Sequence, residues 1–122
     1  MQSRVGYVNI GVRDLDKGVA FYRDVLGWEL QYAAPEFHYA RFSVGGFTIG
    51  MGAGEIDHFT GRPPGERHTG IGLMVQDVDA VYRELTAKGV KFTLVPARQP
   101  WGGYMGIFSD PDGNLYYLDQ GQ

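Results

Sequence analysis

The side chains able to do chemistry in this chain are few, and their types exclude several mechanisms at once. No Cys occurs, which removes disulfides, Cys-ligated zinc and thiol nucleophiles together. Ser3, Ser43 and Ser109 lack the Gly-x-Ser-x-Gly setting that exposes a nucleophilic hydroxyl. No carboxylate pair falls on one strand face, so acid/base hydrolysis has no evident machinery. The glycine-rich stretches open no helix and match neither a Walker loop nor a dinucleotide fingerprint. His38 and His58 have no partners at metal-ligand spacing, and His68 stands alone at the start of a strand-like run.

Aromatic rings (14% of residues) and nineteen glycines are what remain. Rings stack on planar molecules, and a missing Cβ lets a flat group approach the backbone. Tyr7, Asn9, His38, Phe47, Met51, His68, Arg98, Trp101, Tyr104 and Tyr117 form the candidate ligand-contacting set. Within it, Pro100-Trp101-Gly102-Gly103-Tyr104 sets a Trp in a loop where it can stack on a ligand or fold onto the sheet rim. Arg98 offers a two-pronged hydrogen bond to a carboxylate or carbonyl. Most of Phe21, Tyr22, Phe42, Phe47, Phe92 and Phe108 are expected in the core instead.

The elements that must position these residues are written twice. Val8–Val12 followed by Arg13-Asp14-Leu15-Asp16 matches Ile71–Val75 followed by Gln76-Asp77-Val78-Asp79. Each is an alternating strand pattern ending in an Asp suited to cap a helix. Leu15, Val19, Tyr22 and Leu26 predict an amphipathic helix stopped by Gly27; Val78, Val81, Tyr82 and Leu85 predict a second, stopped by Gly89. Strand-like runs follow at 28–33, 38–44 and 47–51, and again at 90–96, 104–109 and 114–119. The reading is α+β: two βαβββ modules, about 1–52 and 68–122, joined by a linker at about 53–67, the stretch from Gly52 to Arg67 carrying four Gly and two Pro. Gly45-Gly46 and Asp110-Pro111-Asp112-Gly113-Asn114 are expected hairpin turns. Strand parity puts Val8, Ile10, Val12, Ile71, Leu73 and Val75 against the helices, with Tyr7, Asn9, Gly11, His68, Gly70, Gly72 and Met74 opposite.

The 122 residues suit one ordinary domain or two half-domains sharing a core. Eleven basic residues are scattered among fourteen acidic ones, a pattern that predicts no nucleic-acid partner. No long apolar run marks a signal peptide or membrane span, so a cytoplasmic location without membrane attachment is expected.

Paired strand–helix–three-strand modules, the Asp-Leu-Asp helix start with Phe21-Tyr22 and Leu26-Gly27, and the late Asp-Pro-Asp-Gly-Asn turn resemble the vicinal oxygen chelate superfamily. That group includes glyoxalase I, extradiol dioxygenases, fosfomycin resistance enzymes and bleomycin-resistance binding proteins. The resemblance implies half-barrel sheets cupped around a concave cavity, with the odd-numbered face of the last strand (Leu115, Tyr117, Asp119) inside. It also implies, in metal-dependent members, one His or Glu ligand on the first strand and one on the last strand of each module. Those positions fall here at Tyr7, Gly70, Tyr117 and, in the first module's last strand, Ile49 or Gly50. None is a usual ligand; His68 and Asp119, each about 7 Å along a strand from such a position, are the only displaced substitutes. The expectation is a site with no metal or other cofactor, holding a small planar or aromatic molecule in the manner of drug-sequestering, self-resistance proteins. A metal-independent isomerase, cyclase or lyase using Tyr7, Tyr117 or His68 is the alternative, and a metal-dependent lyase or dioxygenase with displaced ligands the third. Pairing of modules within or between chains in the superfamily implies a homodimer.

Overall fold

A computed structural model describes residues 1–57 and 60–121 and divides the chain into two compact units, Met1–Gly65 and Glu66–Gln122. His58, expected in the linker, lies outside the described residues. The first unit runs β1 (Val8–Val12), α1 (Leu15–Val19), β2 (Glu29–Ala34), β3 (Tyr39–Val44) and β4 (Phe47–Ala53). The second runs β5 (Arg67–Met74), α2 (Val78–Ala87), β6 (Lys91–Arg98), β7 (Tyr104–Ser109) and β8 (Asn114–Asp119). Each makes one open four-stranded sheet, ordered β1-β4-β3-β2 and β5-β8-β7-β6. The first and last strands of each module pair in parallel, and the remaining pairs are antiparallel. The repeated α+β architecture read from the sequence is therefore the architecture found.

Both helices start as their sequences dictate. Asp14 accepts from Lys17 N at 2.9 Å and Asp77 from Ala80 N at 3.1 Å, each satisfying an otherwise orphan first-turn amide. Gly89, at φ +87°, ends α2, and Val90 N reaches back to Leu85 O at 3.0 Å. The first helix departs from the expected regular stripe. After Val19 it widens into a π-helical stretch, Ala20–Val25, with Leu26 N bonding to Phe21 O. The wider winding turns both Phe21 and Tyr22 inward, where their rings meet edge to face at 5.1 Å. Tyr22 then stacks on Trp28 at 4.8 Å, so Trp28 is core. Gly18 is a close-approach glycine: a Cβ there would lie 2.7 Å from Met51 Sδ beneath the helix. In the second unit Phe108 stacks on Tyr116 at 5.4 Å below α2, with Val78, Leu85 and Leu118 buried around them.

The turns hold by the chemistry expected of them. Gly45 and Gly46 both take positive φ (+55° and +83°) in the tight β3–β4 hairpin. In the β7–β8 turn the Asp110 carboxylate accepts from Asp112 N, Asn114 N and Asn114 Nδ2 at 2.7–2.9 Å, and both side chains are buried.

One device recurs in both sheets. β2 pairs Leu30 with Phe42 and then Tyr32 with Arg41, leaving Gln31 as an extra residue; β6 pairs Phe92 with Phe108 and then Leu94 with Ile107, leaving Thr93. Each bulge breaks the period-two alternation. Leu30 and Phe92 keep company with helix-facing residues, whereas Tyr32 and Leu94 emerge on the opposite, open face.

Candidate functional site

The registers bring one transverse row of residues onto the open face of each sheet. In the first unit Asn9 pairs with Gly50, Gly50 with Arg41, and Arg41 with Tyr32, crossing all four strands. In the second the matching row is Gly72, Tyr117, Ile107 and Leu94. Four strands at about 4.8 Å spacing make each row about 14 Å long, the span of a molecule of two or three fused rings. Gly50, not Ile49, is thus the counterpart of Tyr117.

The first row is polar and cationic. A Cβ on Gly50 would collide with Asn9 Oδ1 and the Tyr39 hydroxyl, which both lie over it. The Arg41 guanidinium sits 5.1 Å from the Tyr32 ring centroid and 6.0 Å from that of Tyr39. A hydrogen bond to Tyr39, then the fields of Tyr32 and Tyr39, hold Arg41 above the usual arginine pKa.

The second row is built around a distortion in β5. Pairing runs from His68–Leu115 directly to Gly72–Tyr117, so two residues are extruded between them. Gly70 takes φ +76° there, a left-handed conformation that glycine adopts without penalty. Thr69 Oγ1 pins the distortion by donating to Leu115 O at 2.7 Å and accepting from Ile71 N at 3.1 Å; Gly70 N donates to His68 Nδ1 at 3.3 Å. The result swings His68 against Tyr117, with ring centroids 4.3 Å apart. From the sequence His68 stands two residues from the expected ligand position, and only the extruded pair explains its approach to Tyr117.

Asn9, His68 and Tyr117 lie on the open faces, and Tyr7 stands one residue before β1, 65% exposed. The other six residues of the expected set lie elsewhere. Met51 is fully buried on the helix-facing side of β4, under Gly18. Phe47 shares that parity and lies at the β3–β4 hairpin, opposite Val44. Tyr104 shares the helix-facing parity of Phe108, and its hydroxyl donates to Asp79 Oδ1 at 2.6 Å, at the start of α2. Arg98 pairs with Tyr104 across the strands, lies over its ring at 5.4 Å and donates to Gly102 O at 2.7 Å. Its guanidinium therefore braces the 99–103 turn. His38, at φ +54°, is exposed in the turn before β3. Trp101 is 63% exposed, its indole Nε1 lying over Gly103, where a Cβ would come within 2.8 Å. The loop is a tight turn closed by Gly102 N to Gln99 O and Gln99 N to Gly103 O, not an open strap.

Tyr32 escapes a reading by simple alternation because of the bulge at Gln31. Tyr39 and Arg41 do not: taking His38, Ala40 and Phe42 as one lining follows the helix side of β3, where Ala40 and Phe42 are wholly buried, while His38 belongs to the turn. The signal that could have found Arg41 is a charged residue flanked on both sides by buried apolar ones.

The donor set does not fit a divalent metal held in the superfamily manner. Tyr7, Gly50, Gly70 and Tyr117 occupy the four positions, and among the described residues no three of His, Cys, Asp and Glu converge.

Comparison with known proteins agrees with the architecture. The glyoxalase/bleomycin resistance protein/dioxygenase superfamily matches residues 4–117. The chain is 34% identical over 116 residues to the uncharacterized protein YraH of Bacillus subtilis, covering 88% of this chain and 91% of that one. A member of the same superfamily from Sphaerobacter thermophilus is similar in structure, with a TM-score of 0.84, 34% identity and 98% of each chain covered. TnmS3, an antibiotic binding protein from Streptomyces sp. CB03234, has a TM-score of 0.82 and 31% identity, over 99% of this chain and 98% of that one.

Proposed function

Because this chain belongs to the glyoxalase/bleomycin resistance protein/dioxygenase superfamily, we propose that it binds a small planar or aromatic molecule without a metal, as a sequestering or self-resistance protein. The observation that carries this reading is what stands in the ligand positions. Gly50 and Gly70 supply no donor, and Tyr117 supplies a ring facing His68 on an open sheet face. Such a surface offers stacking area, and open backbone at Gly70, in place of coordination. The whole-length likeness to an antibiotic binding protein supports the same direction.

Tryptophan fluorescence tests it. Trp28 is locked against Tyr22 and Phe42, whereas Trp101 is exposed, so ligand-dependent quenching reports on Trp101. A panel of fused-ring compounds should quench saturably, with no loss after chelation, and elemental analysis should find well under one metal ion per chain. Tyr117→Ala, which removes the ring on the open face, should weaken binding by about 1–3 kcal/mol, the range for a stacking anchor. A panel without any saturable binder, or one tightly held divalent ion per chain, overturns the proposal.

The His68–Tyr117 contact favours a second reading, a metal-independent isomerase, cyclase or lyase with these residues as acid and base. Tyr117→Phe separates the two. A binder keeps its stacking surface, while an acid/base enzyme loses turnover by roughly 100-fold or more.

A further inference from the structure

We propose that Arg41 makes this protein selective for planar molecules bearing an anionic oxygen group, such as aromatic carboxylic acids, with the acid seated on the first unit's row at Asn9, Gly50 and Arg41. This rests on the small-molecule reading above and names the ligand class.

The argument begins with charge. Acidic residues outnumber basic ones fourteen to eleven, so carboxylates to pair with arginine are plentiful. Elsewhere they are used: Arg13 lies 3.8 Å from Glu55 and Arg23 2.8 Å from Asp24. Arg41 has no carboxylate in ion-pair range among the described residues, and its Nε is enclosed without a hydrogen-bond partner. A partly buried guanidinium is costly without a counter-charge, and two tyrosine faces relieve only part of that cost. They do, however, hold it in place: the guanidinium carbon lies 5.1 Å from the Tyr32 ring centroid and 6.0 Å from that of Tyr39. A fork fixed in this way is matched to a carboxylate.

Its neighbours complete the seat. Next to Arg41 in the row, the space over Gly50 is taken by the Asn9 amide oxygen and the Tyr39 hydroxyl, and of these two the hydroxyl is the donor an acid beside Arg41 can use. Tyr32, 44% exposed at the end of the row, offers a ring face beside the cation. An acid on a flat ring system meets the guanidinium at one end and aromatic surface at the other. The equivalent of Arg41 in the second row is Ile107, and no cation stands in that row.

The test compares 2-naphthoate with the isosteric neutral 2-naphthamide by isothermal titration at neutral pH. Wild-type protein should bind the acid about 10- to 100-fold more tightly, and the preference should shrink as salt is raised. Arg41→Met, which keeps an unbranched stem between the tyrosines, should reduce the preference to within threefold of unity. Arg41→Lys, which keeps charge but loses the fork, should retain a preference weaker than the wild type's. Circular dichroism checks the fold of both, and if Arg41→Met does not fold, Arg41→Lys decides: an undiminished preference overturns the proposal. Equal wild-type affinity for acid and amide overturns it while leaving the binding reading intact. Failure of both probes, together with the wider panel, overturns both.

Discussion

Gly70 occupies a position where a metal-dependent relative carries a ligand, yet the backbone there could not accept an ordinary residue without strain. Its φ is +76°, and a Cβ built on it meets nothing within 4 Å. The cost of Gly70→Ala is therefore purely conformational, with no clash to confuse it. Left-handed backbone costs a non-glycine residue roughly 1–2 kcal/mol, offset by about 0.4–1 kcal/mol from the smaller entropy of the unfolded chain. A net destabilisation of about 1 kcal/mol follows, or a fall in Tm of about 3–5 °C for a chain of this size. Asn tolerates the left-handed region better, so Gly70→Asn should cost about half as much. Urea denaturation followed by circular dichroism measures both, and the midpoint should move with an unchanged slope. The extruded residues also place His68 on Tyr117, so a Gly70→Ala protein that relaxes the bulge should lose the ring-current shift on the His68 protons. If the alanine variant is as stable as wild type, or if asparagine costs more than alanine, the strain argument is refuted.

Three other outcomes follow from the structure. The Tyr104 hydroxyl bonds to Asp79, and that bond, then burial, raises its pKa above the usual tyrosine value. Its stabilising contribution should thus be complete below about pH 10 and lost as pH climbs through the raised value; in an ultraviolet titration Tyr104→Phe should delete one tyrosine step lying above the usual value and Asp79→Asn should lower that step. Asn114→Ala removes the buried donor to Asp110 Oδ2 and should destabilise by about 1–3 kcal/mol in the same denaturation assay, with Asn114→Asp at least as damaging because it faces a second carboxylate. Both sheets are open and end on edge strands, which supports a homodimer; sedimentation at micromolar concentration should show twice the mass of one chain, and a stable monomer would exclude it.

The sequence disclosed those features that rest on local chemistry. Asp14 and Asp77 as caps, Gly27 and Gly89 as stops, and the Asp110–Asn114 turn need only their nearest neighbours, and each was legible. The helix-facing parity of Ile10, Val12, Ile71 and Leu73 was legible for the same reason, since a strand alternates until something interrupts it. What interrupts it is tertiary. The bulges at Gln31 and Thr93 and the extruded pair before Ile71 depend on pairing with strands distant in sequence, so alternation could not reveal Tyr32 or the approach of His68 to Tyr117, whereas Arg41, in the regular strand β3, was within its reach. Likewise Tyr104 and Arg98 read as ligand contacts because nothing local shows that Asp79, some twenty-five residues upstream of Tyr104, takes the hydroxyl.

The bulge shared by β2 and β6 makes the two modules comparable residue by residue, since the extra residue stands at the same place in each, after equivalent helix-facing partners. Beneath the helices Phe42 matches Phe108, Ile49 matches Tyr116 and Met51 matches Leu118, all apolar and buried. On the open rows Asn9, Gly50, Arg41 and Tyr32 correspond in register to Gly72, Tyr117, Ile107 and Leu94, and every position differs in kind. Since a one-residue insertion cannot be lost without turning a strand's side chains over, the bulge locks the frame of each module while leaving its open surface free to differ. The chain thus carries one frame twice under two surfaces, one charged at Arg41 and one oily at Ile107 and Leu94.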